Sequence, residues 1–472
     1  MNRPMAKERY LVLSDLHLCD VQNHKDGWKS YKASKYLFDE EFAELLDSFV
    51  ARFEGGDKLV LLLNGDIFDF DLVLGAPEDA PWPITRRERV RGLQATAEKS
   101  VWKLERVLAD HPIFVEALAD FMAKGHDVVY VIGNHDREFH FTEVKKALVD
   151  SLRAVAAQKG VSLAESPMKF EPWFYHVPGK IYAEHGQQYD YYTSYGHILC
   201  PEVKGKEGPQ IVLPMGNLAN RYLLSQMGFF NPHASDYILN VFHYIWHWLK
   251  HYAFTRRFLV YHWFVGTLLV LWRLISTKRQ ILRRPPDCSV QLAEAASRSQ
   301  LSVERVEALG RLGKRPIPHR LYRMVREFWL DRLILAAIMT GGTISLALVP
   351  IPLWIKLMVP LSSFPLLFLI YEWFAHDESV FSAEGELRAH AKEIAQILDV
   401  KLVTFGHTHK PELQPIGRGI TWVNTGTWAP VMSRKDDGKL ISGLRNYLIA
   451  EFDGEGSGGE VELALKSDLP VD

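Results

Sequence analysis

Residues 59–69 read LVLLLNGDIFD, an apolar run closed by Asn64-Gly65-Asp66. A continuous apolar run ended by glycine is the pattern of a strand buried on both faces, and it places Asp66 at the strand's C-terminal edge. Open α/β sheets carry their ligand sites at that edge. The arrangement recurs along the chain. Residues 10–13 lead into Asp15-x-His17, residues 127–132 into Gly133-Asn134-His135-Asp136, residues 180–183 into Glu184-His185-Gly186, and residues 401–405 into Gly406-His407-Thr408-His409. Each cluster alone has a plainer meaning, because Asp and Asn cap turns and helices and a lone His usually serves packing. Their joint occurrence in this order, each after an apolar strand, points to a cation site.

On an extended segment a spacing of two residues turns both side chains to one side, so Asp15 with His17, and His407 with His409, can grip neighbouring ions. A set of carboxylates, imidazoles and an amide oxygen suits Mn²⁺, Fe, Zn²⁺ or Co²⁺ better than a thiolate-loving metal. Two ions about 3.5 to 4 Å apart need a bridging carboxylate, and Asp66 is the natural choice.

Helical spacing is expected over residues 39–52, 86–108, 113–124, 141–158 and 384–398, alternating with the strands in α/β fashion. At 472 residues, 47% hydrophobic and 24% charged, the chain is globular and has room for an inserted region. The composition changes over residues 201–376, where aromatic and apolar helical segments gather. The expected organisation is therefore a core in two parts, 1–200 and 377–472, around an all-helical apolar insertion, 201–376. A formal net charge of -2 gives no reason to expect a nucleic-acid partner. Three cysteines, Cys19, Cys200 and Cys288, are too few and scattered for a disulfide framework or a thiolate metal site, and a reducing compartment is the default. The opening MNRPMAKERY lacks an apolar h-region, so no secretory signal peptide is expected and the catalytic part is expected to be cytoplasmic.

The order of motifs Asp15-x-His17, Gly65-Asp66, Gly133-Asn134-His135-Asp136, His185-Gly186 and Gly406-His407-Thr408-His409 resembles that of the calcineurin-like metallophosphoesterases. The resemblance covers residues 10–186 and 401–465. It implies an α/β (α+β four-layer) fold, a β-sandwich flanked by helices, with two divalent metal ions, Mn²⁺ foremost and Mg²⁺ also admitted, on the strand-end loops. Position by position, it implies that Asp15, His17, Asp66 and His409 hold one ion and that Asp66, Asn134, His185 and His407 hold the other. It makes His135 the general acid, oriented by Asp136, in hydrolysis of a phosphodiester or pyrophosphate by a metal-bridging hydroxide. Asp69, three residues after Asp66, is read as a support that hydrogen-bonds a ligand. Asp15-Leu16-His17-Leu18, Gly65-Asp66-Ile67-Phe68-Asp69 and His185-Gly186 are most similar to the branch of UDP-2,3-diacylglucosamine hydrolases. Members of that branch typically have Arg where this chain has His135, and they are far shorter.

His185 and His407 flank the insertion and must reach one ion, so any membrane crossings between them are even in number. Residues 333–349 and 357–374, separated by Pro350, Pro352, Lys356 and Pro360, fit a hairpin of two short spans. Residues 236–275 are rich in aromatics. Within them 258–272 are too short to span and read as interfacial or buried, beside Lys278, Arg279, Arg283 and Arg284 for an anionic leaflet. His319, Arg320, Arg323 and Arg326, and Trp28, Lys29 and Lys32, are lesser candidates for a phosphate or head group. The expected substrate is a phosphoester bearing acyl chains, met at the cytoplasmic face of a membrane. Alternatives are a soluble phosphatase or nucleotide phosphodiesterase with the insertion as lid or oligomerisation element, and a non-enzymatic membrane scaffold with a relic metal site.

Overall fold

The structure is a computed structural model that describes residues 7–21, 37–53, 58–205, 207–223, 259–283, 285–316, 325–326, 328, 330–374, 383–429, 431–432, 440–441, 445–452 and 459–465. The candidates Trp28, Lys29, Lys32, His319, Arg320 and Arg323, and residues 236–258 of the aromatic segment, lie outside these.

In chain order the strands are β1 (Glu8–Leu13), β2 (Lys58–Asn64), β3 (Asp127–Val131), β4 (Met168–Glu171), β5 (Phe174–Val177), β6 (Ile181–Glu184), β7 (Glu202–Gly205), β8 (Gly208–Ile211), β9 (Leu402–Phe405), β10 (Pro411–Gly417), β11 (Ile420–Thr425), β12 (Val431–Met432), β13 (Leu440–Ile441), β14 (Asn446–Phe452) and β15 (Gly459–Leu465). The longer helices are α1 (Asp39–Arg52), α2 (Arg86–Arg91), α3 (Ala97–Asp110), α4 (Pro112–Ala123), α5 (Thr142–Gln158), α6 (Met215–Tyr222), α7 (Leu259–Arg283), α8 (Ser289–Arg298), α9 (Val303–Leu312), α10 (Leu330–Leu348), α11 (Leu353–Phe374) and α12 (Ala383–Ile397). The single helix expected over 86–108 is two, because Gly92 follows α2 at φ 79° and ψ 156°, a backbone open mainly to glycine that cannot continue a helix.

One sheet has the order β15-β14-β1-β2-β3-β4 and the other β10-β11-β9-β6-β5. β1 to β4 run parallel, as do β6, β9 and β11, while β14, β15, β5 and β10 join antiparallel. Alternation along the strands sets the layers. Tyr10, Val12, Val60 and Leu62 face Ile181, Ala183, Leu402 and Val423 across the space between the sheets. Leu11, Leu13, Leu61 and Leu63 turn the other way, onto Phe42, Leu104, Leu118 and Leu148 of α1, α3, α4 and α5. Tyr182, Val403 and Trp422 of the second sheet pack under Ala391 and Ile394 of α12. The fold is thus a metallophosphoesterase-like β-sandwich flanked by helices. Every parallel strand of both sheets ends at the edge where the motif loops begin.

The chain divides into two compact units, residues Met1–Pro316 with Leu387–Asp472, and Ile317–Glu386. The composition change at residue 201 is not a structural boundary, because α8 and α9 supply Ala296, Val306 and Leu309 to the same cluster as Trp173, Tyr189 and Phe405. Cys200 and Cys288, 88 residues apart in sequence, are joined as a disulfide with Cα atoms 5.8 Å apart, so scatter along the chain did not keep them apart in space.

The second unit holds α10 and α11, two helices long and apolar enough to cross a membrane. They lie antiparallel. Lys356 Nζ donates to Ala347 O at one end (2.7 Å), and Tyr371 Oη donates to Asp331 at the other. Their apolar side chains stand exposed, Leu348 at 82% and Trp373 at 75%. Among described residues of α10 none is buried.

Candidate metal centre

Beyond the ends of β1, β2, β6 and β9 the loops remain joined by their backbones. Asp15 N donates to Gly65 O (3.1 Å), His17 N to Asp66 O (2.9 Å), and Gly406 N to His185 O (2.9 Å). Of the eight non-glycine residues at positive φ among those described, five are Asp15 (53°), His17 (52°), Asp66 (54°), His407 (70°) and His409 (61°). Left-handed backbone costs such residues about 1–2 kcal/mol each, and strain of this kind clusters where function requires a fixed geometry. Asp15 and His17 therefore converge through left-handed turns, not through the extended segment expected from their spacing. The motif glycines make room for ligands from other loops. A Cβ on Gly65 would lie 2.6 Å from His185, and one on Gly133 would collide with Asp66 Oδ1.

Among the described residues three sets of three side chains bring their ligand atoms within 4.8 Å of one another: Asp15, His17 and His409; Asp66, His185 and His407; and His17, Asp69 and His135. In the first set Asp15 Oδ1 lies 3.2 Å from His409 Nε2 and 3.8 Å from His17 Nε2. In the second, Asp66 Oδ2 lies 3.0 Å from His185 Nε2. Asp15 Oδ1 is also 3.9 Å from His185 Nε2, so the sets adjoin. Asn134, on the loop after β3, keeps a buried Oδ1 that makes no hydrogen bond.

These residues suit divalent cations. His17 Nε2 and His409 Nε2 face each other at 3.1 Å, a contact that a shared ion explains better than an N–H···N bond between two rings held by acids. His185 Nε2 is buried and makes no directed hydrogen bond although Asp66 is within ion-pair distance. With the Asn134 oxygen, that leaves two buried polar atoms that make no directed hydrogen bond, a costly condition that a cation would relieve. The donor set is oxygen and imidazole nitrogen, borderline to hard.

The electrostatics agree. Burial raises the Asp66 carboxyl, but His185 and His135 overcome it and hold Asp66 well below the usual range. Asp15 is pulled down to about 2 against burial, chiefly by His185 and His409. Burial disfavours the charged form of His185 as well, yet Asp66 and Asp15 raise it to about 9. A carboxylate field that keeps a proton on a buried His is one that a cation can occupy, displacing that proton. His17 is lowered by burial, which Asp69 only partly offsets, and neutral imidazole is the ligating form. The Asp66 charge acts on both His17 and His185, one from each set.

The supporting contacts correct one expectation and add residues that the motifs do not reveal. Asp136 does not orient His135. Its oxygens accept from Ile67 N (2.8 Å), Gly133 N (2.6 Å) and Tyr130 Oη (2.6 Å), so it ties the β2 and β3 loops together. The carboxylate beside His135 is Asp69, 2.9 Å from its Nδ1 and 3.2 Å from His17 Nδ1. Burial pushes His135 down, but Asp69 and Asp66 raise it to about 10. Asp190 lies 3.1 Å from His407 Nε2, with Thr193 Oγ1 at 3.2 Å. Arg137, fully buried, reaches Asp71 through two contacts of 2.7 and 3.0 Å and also donates to Asn134 O. Asn217 of α6 donates to Asp71 (2.8 Å) and Asn134 O (3.1 Å). Asp71, Asp190 and Asn217 lie outside the strand-end motifs, and Arg137 directly follows one of them. Only the acid at Asp69 was visible, by its distance from Asp66.

A strand-end site with this ligand chemistry, on a sandwich flanked by helices, defines a class of proteins that could hold divalent metal. The family description of the calcineurin-like phosphoesterases matches residues 8–263, over half of the 472, and the chain belongs to that family. The family implies a phosphoester hydrolase that uses divalent metal. Among solved structures, the crystal structure of wild-type Vps29 complexed with Zn²⁺ from Entamoeba histolytica is similar at 22% identity, over 17% of this chain and 47% of that chain, with a TM-score of 0.10. The chain thus spans less than half the length of that relative. No curated protein matches the chain.

Asp69 contacts two imidazoles of the centre, so Asp69→Asn should weaken metal affinity by about 10- to 100-fold. A competition titration with a metal-sensitive dye measures this, and unchanged affinity would remove Asp69 from the supporting role.

Proposed function

We propose that this chain is a dinuclear metal-dependent hydrolase of phosphodiester or pyrophosphate bonds, acting at a membrane on a substrate with an apolar tail. The observation that carries the reading is the pair of adjoining ligand sets, Asp15-His17-His409 and Asp66-His185-His407. In it Asp66 is the shared carboxylate, Asn134 Oδ1 joins the second set, and Mn²⁺ is the favoured ion. Two bound cations would supply Lewis acidity, activating water and neutralising phosphate oxygens.

The protein's own part is positional and protonic. Asp69 holds His135 through Nδ1, which leaves Nε2 to offer a proton to the departing oxygen as it gains charge. The carboxylate field keeps that proton on His135 at neutral pH. Asp190 fixes the His407 ring, and Arg137 with Asn217 fixes the main chain at Asn134. Stripping metal with a chelator should abolish hydrolysis of an aryl phosphodiester, and Mn²⁺ should restore it. Hydrolysis that persists in the stripped protein would overturn the reading.

The apolar tail and the membrane rest on α10 and α11. Exposed apolar faces on this scale are unfavourable in water and suit a hydrocarbon surround. An antiparallel pair returns the chain to the side it left, as ligands on both sides of the hairpin require. Asp331, Arg332 and Tyr371 gather at one end, where a polar interface would sit. The protein should sediment with membranes at low salt and leave them only with detergent. Recovery wholly in the soluble fraction without detergent would contradict this part.

A further inference from the structure

Helix α7 has two unlike faces. Thr267, Val270 and Leu274 are buried, and Gly266 sits so close to α6 that a Cβ there would lie 2.9 Å from Tyr222 O. Arg273 adds a hydrogen bond to Gln94 Oε1 (3.0 Å). These contacts fix which side of the helix looks outward. On that side Tyr261, Phe264, Leu268 and Trp272 stand 57%, 45%, 47% and 53% exposed. At about 3.6 residues per turn their spacing confines them to about 80° of arc along roughly 16 Å of helix. Two exposed arginines, Arg279 and Arg283, continue the same face towards the C-terminal end.

No acidic residue occurs in α7. Its neighbour α2 brings further positive charge, because the Arg87 guanidinium lies over the Trp272 ring at 5.2 Å and Arg86 and Arg89 are exposed on the same short helix. The acids lining the groove between α2 and α7, Glu88 and Glu207, are both met by Lys99, whose Nζ lies 2.6 Å from each. An exposed apolar stripe is unfavourable in water until something covers it. A stripe of aromatic and aliphatic side chains that ends in cations, on a helix docked by its other side, is the arrangement of a helix lying in the plane of an anionic lipid surface. The rings suit the headgroup level, and the arginine stems can run along the apolar side while their heads meet lipid phosphate. Of the described helices, α10 and α11 are long and apolar enough to cross a membrane, and α7 is not among them.

We propose that the outer face of α7, with the arginines of α2 beside it, docks on the interface of an anionic bilayer and so holds the unit that carries the metal centre against the lipid headgroups. The proposal goes beyond the membrane reading above, which rests on α10 and α11, since α7 would bind lipid even in a chain whose hairpin did not insert. It uses no residue of the metal centre.

The test uses the full chain with an environment-sensitive dye on Leu268→Cys, combined with vesicles of phosphatidylcholine alone or of phosphatidylcholine and phosphatidylglycerol in equal parts. Cys19 is buried and Cys200 and Cys288 are paired, so the new thiol is the one that reacts. Dye emission should shift to the blue with the anionic vesicles and not with the zwitterionic ones, and added salt should reverse the shift. Arg279→Gln together with Arg283→Gln should move the balance between buried and wet dye towards water by roughly fivefold for each arginine, with the melting temperature unchanged because both side chains are exposed. Phe264→Asp should keep the dye wet with either lipid. A dye that stays wet with anionic vesicles, that is buried equally with both lipids, or that is buried only at a high ratio of protein to lipid would overturn the proposal, the last result giving the stripe to a second copy of the chain. Failure of the hairpin reading shows separately: the chain would then leave anionic vesicles in high salt without detergent, after a full dye response at low salt.

Discussion

Asp66→Ala should reduce metal-dependent hydrolysis of an aryl phosphodiester to the background rate, a fall of at least about three orders of magnitude. The size follows from how much passes through this one carboxylate. Asp66 Oδ2 lies 3.0 Å from His185 Nε2, Oδ1 accepts from His135 N at 2.7 Å, and its charge raises His135 and His185 and partly opposes the lowering of His17 by burial. Removing it empties the shared position and releases the loop that carries His135. The folded state should survive, because an acid that is buried among ligands is there for the ion and contributes little packing. A steady-state assay over a range of Mn²⁺ measures the loss, and near-normal turnover at any metal concentration would show that Asp66 is dispensable.

The second large effect concerns stability. Asp71→Ala should destabilise the protein by about 3–5 kcal/mol, since it leaves a fully buried guanidinium without its main counter-charge. Arg137 meets Asp71 through two short contacts, and Asn217 donates to the same carboxylate. Glu138 Oε1 at 3.5 Å from Arg137 Nη2 compensates only in part. Asp71→Asn keeps the shape and should cost less. Thermal unfolding of both variants checks the order. Because Arg137 and Asn217 also hold Asn134 O, activity should fall in Asp71→Ala even below its melting range.

The motif residues were legible because the fold imposes a simple rule on them: a ligand must follow a buried parallel strand, and buried strands announce themselves as apolar runs. Leu61 and Leu63 on one face and Val60 and Leu62 on the other are all buried, as the run at 59–63 requires. Helix α1 was equally plain, with Phe42, Leu45, Leu46 and Phe49 recurring on its buried side. What could not be read is whatever depends on packing between distant elements. Asp190 reaches His407 across 217 residues, and Asn217 reaches Asp71 across 146. Nothing in the local sequence of either residue encodes its partner. Asp136 was misplaced for the reverse reason. Adjacency to His135 suggested a hydrogen bond, but Tyr130, Ile67 and Gly133 claim its oxygens. The composition change at residue 201 misled in the same way, because α8 and α9 are covered by the core that they follow.

A two-ion centre that shares Asp66 fixes how much metal the chain holds. Metal content per chain is measured by elemental analysis after Mn²⁺ loading and removal of free metal. Two ions per chain are expected in the natural sequence and fewer than one in Asp66→Ala. Two ions retained by the Asp66→Ala protein, or only one held by the unaltered chain, would contradict it.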